Sequence, residues 1–346
     1  MHVRLSVADG ASTVERMSRT NHRITLAKRP VGPIDPGCFS MDDVPVGSPG
    51  PGQVLVEVGW LSIDPTIRGW MSQDTYLPAI AIGDPIRSGG IGTVLESDVE
   101  GVVAGATVFG MTGWQQYSVI DAPVQVVPEG VPPDAALSVF GITGLTAYVG
   151  LLDIGRPAAG ETVLVSGAAG ATGSVAGQIA RIKGCRTVGI AGSDEKCTML
   201  TEEFGFDAAI NYRTEDVREA IGRTCPEGVN VFFDNVGGDI LEAALDHLAL
   251  HARVVLCGAI AQYNDETPRP GPNNLVNLIV NRGRMEGFIV LDHLGRAAAA
   301  TAELGTWVAE GTLTYRTDVV RGLNNAPAAL DRLFTGANHG KVMVQL

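Results

Sequence analysis

The stretch Glu161-Thr-Val-Leu-Val-Ser-Gly-Ala-Ala-Gly-Ala-Thr-Gly-Ser174 decides the fold. The β-branched run Thr162 to Val165 reads as a buried strand, and Val175-Ala-Gly-Gln-Ile-Ala-Arg-Ile182 carries apolar residues at helical spacing. Between them Gly167, Gly170 and Gly173 leave no Cβ to block the approach of a pyrophosphate to backbone N–H groups. A second strand and the charged tip Ser193-Asp-Glu-Lys196 follow. Strand, glycine turn, helix and strand in this order hold a dinucleotide phosphate on a helix N-terminus. A tight turn that binds nothing would use the same glycines, but the flanking strand and helix favour the phosphate.

Strand–helix alternation continues outward at Thr187–Ala191, Ala208–Ile210, Val229–Asp234 and Arg253–Gly258, with Met285–Val290 as a sixth strand. It implies a parallel, doubly wound α/β sheet with right-handed crossovers. Upstream, Ala135 to Leu152 holds no charged residue and reads as one buried helix; its glycines make it a poor membrane span. Short alternating runs at Val54–Val58, Gly92–Leu95, Thr107–Gly110, Tyr117–Ile120 and Gln125–Val127 predict a small β-barrel-like domain. An edge strand is expected from about Met17, a loop over Pro30 to Gly52, and a long helix over Leu294 to Glu310. The expected domains are 17–131, completed by about 311–346, and 132–310, with residues 1–16 as a flexible arm or extended start.

The chain has 346 residues, enough for two cores, and 45% of them are hydrophobic against 18% charged, as in globular proteins. A net charge of −13 argues against nucleic acid or an anionic membrane as partner. Cys38, Cys185, Cys197, Cys225 and Cys257 are isolated, so neither a disulfide framework nor a metal cluster is expected, and a cytoplasmic setting is the simplest. No secretory leader is expected in the charged N-terminus.

The second strand ends Gly189-Ile-Ala-Gly192 with no carboxylate at its tip. NAD-binding sheets place an Asp or Glu there for the ribose hydroxyls. Ser193 fits a helix N-cap, and Ser193 with Lys196 also fits a grip on the 2′-phosphate of NADP. NADP is favoured, with Asp194 keeping NAD as the lesser reading. Asn235 stands at a strand end where its amide could reach a dinucleotide, and Asp234 fits a turn or helix start. Cys257-Gly-Ala-Ile-Ala-Gln-Tyr263 ends the next strand at the same rim. Taken alone, Tyr263 is better explained by packing than by donation to a ligand. The six histidines are dispersed; His247 and His251 are expected on one helical face, without further ligands. No metal site, nucleophile elbow or Walker loop is expected, which leaves metal-free hydride chemistry.

Together, several motifs resemble the zinc-free medium-chain reductases of the prostaglandin reductase, leukotriene dehydrogenase and alkenal or curcumin reductase group. The resemblance is carried by Ser62-Ile-Asp-Pro-Thr-Ile-Arg-Gly-Trp-Met71, Gly113-Trp-Gln-Gln-Tyr-Ser118 and Gly144-Leu-Thr-Ala-Tyr148. It continues through Val165 to Ser174, Gly192 to Lys196, Asn211-Tyr-Arg213, Phe233 to Gly238 and Gly258 to Asn264. It implies a GroES-like substrate domain joined to a Rossmann domain, a homodimer, and NADPH-dependent reduction of the double bond of α,β-unsaturated ketones and aldehydes. By position, Gly170, Ala171, Thr172 and Gly173 would hold the pyrophosphate, with Lys196 and Tyr212 at the adenosine phosphate end. Asn235, Cys257, Gly258, Ala259, Ile260, Ala261, Gln262, Tyr263, Phe288, Ile289, Val290 and Asn338 would line the rest. Tyr263 would stabilise the enolate with the cofactor ribose. Two departures stand out: Thr66 where this group carries Tyr, and Thr172 where it carries Val or Ile. Quinone reduction, alcohol oxidation and a non-catalytic NADPH-binding protein are the rival functions.

Overall fold

A computed structural model describes residues 19–346; the expected N-terminal arm, and Met17 and Ser18 of the expected first strand, lie outside the described residues. Strands β1 (Thr20–Leu26) and β2 (Phe39–Pro45) form an antiparallel pair. The segment expected to be loop therefore holds β2 and a 3-10 turn at Pro36–Cys38. Most β2 side chains stay in or near solvent, so no apolar alternation marks the strand. Its register comes instead from the β1 ladder and from Arg23, which donates to Asp42 at 2.7 Å.

β3 (Gln53–Ser62) is the spine of the second sheet, with Val54, Val56, Val58 and Leu61 buried. Helix α1 (Thr66–Ser72) follows it, then β4 (Gly90–Ser97), β5 (Thr107–Gly110), β6 (Tyr117–Asp121) and β7 (Gln125–Val126).

The uncharged segment 135–152 is not one helix. A short turn of helix at Pro133–Leu137 breaks before α2 (Ile142–Val149), which runs into a π-helical turn at Gly150–Gly155. At the break Ser138 Oγ donates to Asp134 O at 2.5 Å, and Thr143 Oγ1 donates to Ser138 O at 2.9 Å. The backbone folds so tightly that a Cβ on Gly144 would stand 1.9 Å from Val139 O. The Thr143 hydroxyl thus bonds a carbonyl, Ser138 O, that a continuous helix would pair with the amide of Ile142.

The parallel sheet holds β8 (Thr162–Ser166), β9 (Arg186–Ala191), β10 (Ala208–Asn211), β11 (Val229–Asp234), β12 (Leu248–Leu256) and β13 (Arg284–Gly287). Their order is β10-β9-β8-β11-β12-β13, so the topology reverses between β8 and β11 and opens the ligand crevice there. Helices α3 (Ala171–Ile182) and α4 (Asp194–Glu202) make the first crossovers. Successive β8 residues bury on opposite faces: Val163 and Val165 in one core, Leu164 in the other. A continuous β-branched run follows from that two-sided burial.

β12 starts earlier than the pattern suggests, and both His247 and His251 leave the helix expected for them. His247 stands in the turn before β12 and His251 within it. β13 stops at Gly287, which places Phe288 to Val290 beyond the strand. The long helix divides into a 3-10 segment, Val290–Arg296, and α5 (Ala297–Ala309). β14 (Thr317–Arg321) and β15 (Lys341–Gln345) then return to the second sheet, β15 pairing antiparallel with β3. The architecture is a doubly wound parallel sheet joined to a GroES-like β domain. Among the described residues, no helix is long and apolar enough to cross a membrane.

Candidate active site

The glycine turn sits at the C-terminal end of β8, beside the crevice. Gly167 has φ +57°, and a Cβ on Gly173 would stand 2.4 Å from Gly167 O. Helix α3 starts at Gly170 with no side-chain cap, so its first-turn amides are left for a ligand. The C-terminal segment closes over this turn, Gly340 N donating to Ala169 O at 3.2 Å. Asn338 is buried there and donates to Gly340 O at 3.1 Å.

At the tip of β9, Ser193 Oγ accepts from Lys196 N at 3.2 Å and caps α4. Lys196 is buried, and its Nζ donates to Gly336 O at 2.8 Å. Burial lowers its pKa, and the neighbouring Arg213 lowers it further, against the opposite pull of Glu195 and Asp318. The Arg213 guanidinium lies 5.9 Å from the centre of the Tyr212 ring and donates to Thr335 O at 3.0 Å. Two neighbouring cations beside an open ring and an uncapped glycine helix fit the charge of a phosphorylated ribose next to a pyrophosphate. Arg213 stands in the motif Asn211-Tyr-Arg213, but neither its place beside Lys196 nor the loop at Gly336 is expected from the sequence.

At the end of β11, Asp234 is fully buried and caps its own turn. It accepts from Ser166 Oγ at 2.6 Å and from the amides of Val236 and Gly237. Burial raises its pKa, and those hydrogen bonds pull the other way. Asn235 donates its amide to Ser166 O at 2.7 Å. One N–H of the side-chain amide therefore ties β11 to β8 and fixes the side chain at the crevice rim. Cys257 and Gly258 donate their backbone N–H groups to Asp234 O, which brings the next rim segment alongside.

A short 3-10 turn, Ile260–Gln262, presents Tyr263. The phenol oxygen accepts from Ala259 N at 3.2 Å, which leaves its own proton free to donate. Burial raises the Tyr263 pKa above its ordinary value of 10, with smaller upward contributions from Cys257, Tyr76 and Asp234. A Cβ on Gly258 would stand 3.5 Å from the phenol oxygen, so the loop passes close beneath it.

The facing wall comes from α1 and the segment after it. Thr66 Oγ1 and Tyr76 Oη share a hydrogen bond of 2.9 Å, and Tyr76 meets Trp70 edge-on at 6.0 Å between ring centres. Arg68 is buried and joins the two walls: Nε donates to Asn264 Oδ1 at 3.1 Å and Nη2 to Gly32 O at 2.8 Å. Its Nη1 also donates to Ser72 Oγ. Asn264 follows Tyr263 directly, so Arg68 fastens the Tyr263 loop to the helix that carries Thr66 and Trp70.

Phe288 and Val290 pack against the core on the α2 side of the sheet. A Cβ on Gly150 would stand 2.6 Å from the Phe288 ring. Among the described residues, no three His, Cys, Asp or Glu side chains group where they could hold a metal ion.

Fold and site together define a two-domain oxidoreductase with a dinucleotide crevice between a Rossmann sheet and a β domain. A family model described as the N-terminal domain of oxidoreductases matches residues 22–127, and one described as zinc-binding dehydrogenase matches 171–306. The NADPH-dependent curcumin reductase of Escherichia coli is 38% identical over 96% of this chain and 98% of its own. The NADP(+)-dependent 2-alkenal reductase of Nicotiana tabacum is 41% identical over 88% of this chain and 89% of its own. The structure of CurA from Vibrio vulnificus in complex with NADPH superposes with a TM-score of 0.89 at 38% identity, covering 94% of this chain and 98% of that one. The chain belongs to the medium-chain dehydrogenase/reductase family, in its prostaglandin, alkenal and curcumin reductase group.

Proposed function

We propose that the protein is an NADPH-dependent reductase of the carbon–carbon double bond of α,β-unsaturated ketones and aldehydes. The observation that carries this is the Tyr263 phenol, held by Ala259 with its proton free, on a dinucleotide rim loop that Asn264 and Arg68 fasten to the helix of Thr66. The relatives named for curcumin and 2-alkenal reduction support the substrate class.

Bound in the crevice, NADPH would supply a hydride for the β-carbon of the acceptor, and solvent would supply the proton that the α-carbon takes up to give the saturated carbonyl. The turn Gly170 to Gly173, through the amides of Ala171, Thr172 and Gly173, would hold its pyrophosphate, while Ser193, Lys196, Tyr212 and Arg213 would surround the 2′-phosphate. Asn235, Cys257 to Tyr263, Phe288 to Val290 and Asn338 would bound the remainder, with Asn235 also fixing the strand ends. Tyr263 donates a hydrogen bond to the acceptor's carbonyl oxygen as negative charge develops there. Burial keeps the phenol protonated, the form this role requires. Thr66, shorter than Tyr, widens the facing wall and leaves Tyr76 and Trp70 to orient the acceptor.

A second copy of the chain is the partner that fits the sheet's free edge. β13 has one neighbour, and Leu275, Val276, Ile279, Val280, Leu291 and Leu294 are exposed around it. Sedimentation equilibrium should return twice the mass of one chain. The activity is tested with 2-alkenals, aryl enones, naphthoquinones and secondary alcohols, following NADPH or NADP+ absorbance. Saturated carbonyl products from the enones carry the reading; turnover of quinones alone, or tight NADPH binding without turnover, refutes it.

A further inference from the structure

A cavity of about 300 Å³ lies beneath the parallel sheet, lined by Arg156, His251, Ala252, Arg253, Arg282 and Arg284. It is at the strand starts, opposite the glycine turn: Arg156 precedes β8, and Arg253 pairs in register with Arg284, the first residue of β13. Four guanidiniums and an imidazole surround it with no carboxylate in the lining, in a chain whose net charge is −13.

Backbone strain singles out the same place. Among the described residues, the non-glycine residues with positive φ are Arg156 (48°), His251 (61°) and Arg282 (49°), and all three line this cavity. Residues held in this conformation gather at ligand clamps.

Part of the cluster has an internal explanation. Arg156 Nε donates to Asp153 O at 2.7 Å, Arg284 to Ile154 O, and Arg253 to Gly155 O at 2.9 Å and Arg156 O at 2.8 Å. These bonds cap the exposed carbonyls of the π-helical turn. Arg253 is further saturated by Glu161, and Arg284 has Glu286 at 3.9 Å. Capping leaves donors over. The terminal nitrogens of Arg156, the whole Arg282 guanidinium and the His251 ring have no protein acceptor among the described residues.

We propose that this cavity is a binding site for a multivalent phosphate oxyanion, held by the free edges of Arg156 and Arg282 with Arg284 and His251 beside them. Bidentate guanidinium–phosphate pairing suits these forks, and more than one phosphate group is needed to engage them together. A free condensed phosphate and the phosphates of a nucleotide share this chemistry.

The test is calorimetric titration of the full-length protein, saturated with NADP+ to close the dinucleotide crevice, at constant ionic strength. Pyrophosphate is the first probe and ATP the second. Arg156→Asn and Arg282→Asn are the variants, because Asn accepts the left-handed backbone that most residues resist. Saturable pyrophosphate binding, weakened at least tenfold by Arg282→Asn with Tm unchanged, supports the site; Arg156→Asn, which also loses the bond to Asp153 O, should weaken it as far with a lower Tm. Tighter binding of ATP would then assign the phosphates to a nucleotide, and equal affinity to a free condensed phosphate. The proposal is overturned if pyrophosphate and ATP give no saturable heat, or if both variants bind like the parent.

Discussion

Replacing Tyr263 by Phe removes one hydroxyl and keeps the ring, so its two effects can be calculated separately. On catalysis, the acceptor's developing oxyanion loses a preorganised donor. Losses of that kind amount to about 2.7–4 kcal/mol, or about 10²–10³ in kcat. On stability, the Ala259 N–H loses the acceptor it has at 3.2 Å. A partly buried amide left without an acceptor costs about 1 kcal/mol, which lowers Tm by roughly 2–4 °C in a domain of this size. NADPH affinity should hold within about twofold, because no phosphate-binding group is touched. Stopped-flow reduction of an aryl enone, NADPH fluorescence titration and thermal melting measure the three quantities. An unchanged kcat would remove Tyr263 from the chemistry. Parallel losses of kcat and NADPH affinity would make the phenol a cofactor ligand instead. The pH profile is a further check. Burial raises the phenol's pKa above 10, so the donor persists as pH rises to that value, and a kcat decline centred well below 10 would contradict it.

Lys196→Ala should weaken NADPH binding by about 10- to 100-fold and leave NADH nearly unaffected, as loss of a charged hydrogen bond implies; equal losses for both would refute the 2′-phosphate role. With its pKa lowered from 10.5 by burial and Arg213, Lys196 loses its proton earlier as pH rises, so NADPH affinity should fall below pH 10.5, and Lys196→Arg should abolish that fall. Asn264→Ala removes the acceptor that Arg68 uses at 3.1 Å, and should lower kcat about tenfold and Tm by a few degrees with NADPH affinity unchanged, effects absent when Arg68 is already Gln. Gly173→Ala places a methyl 2.4 Å from Gly167 O, so it should abolish NADPH binding or folding, whereas Thr172→Val should do neither.

The sequence alone settled what depends on short stretches of chain. The β-branched run at Thr162–Val165 is a strand because it buries both faces, and the glycine spacing after it marks a turn where Cβ atoms collide. The same local logic placed Ser193 at a helix cap and Tyr263 on a strand-end loop. It failed where a neighbour far along the chain supplies the stabilising contact. β2 is too polar to announce itself and exists through its ladder with β1. The segment after Ala135 has the apolar content of one helix, but its hydroxyls and the close pass at Gly144 break it.

The site shows the same division. Residue type marked Lys196, but only the folded chain brings Gly336, 140 positions away, against its ammonium and sets Arg213 beside it. Asn235 was legible as a rim residue, and only the structure reveals its amide engaged by Ser166. Arg68 and Asn264 are 196 positions apart, and nothing in either segment by itself foretells their bond. Propensity and periodicity are properties of neighbouring residues, so they fix elements. A site between two domains is fixed by hydrogen bonds and packing between segments that meet only after those elements have folded together.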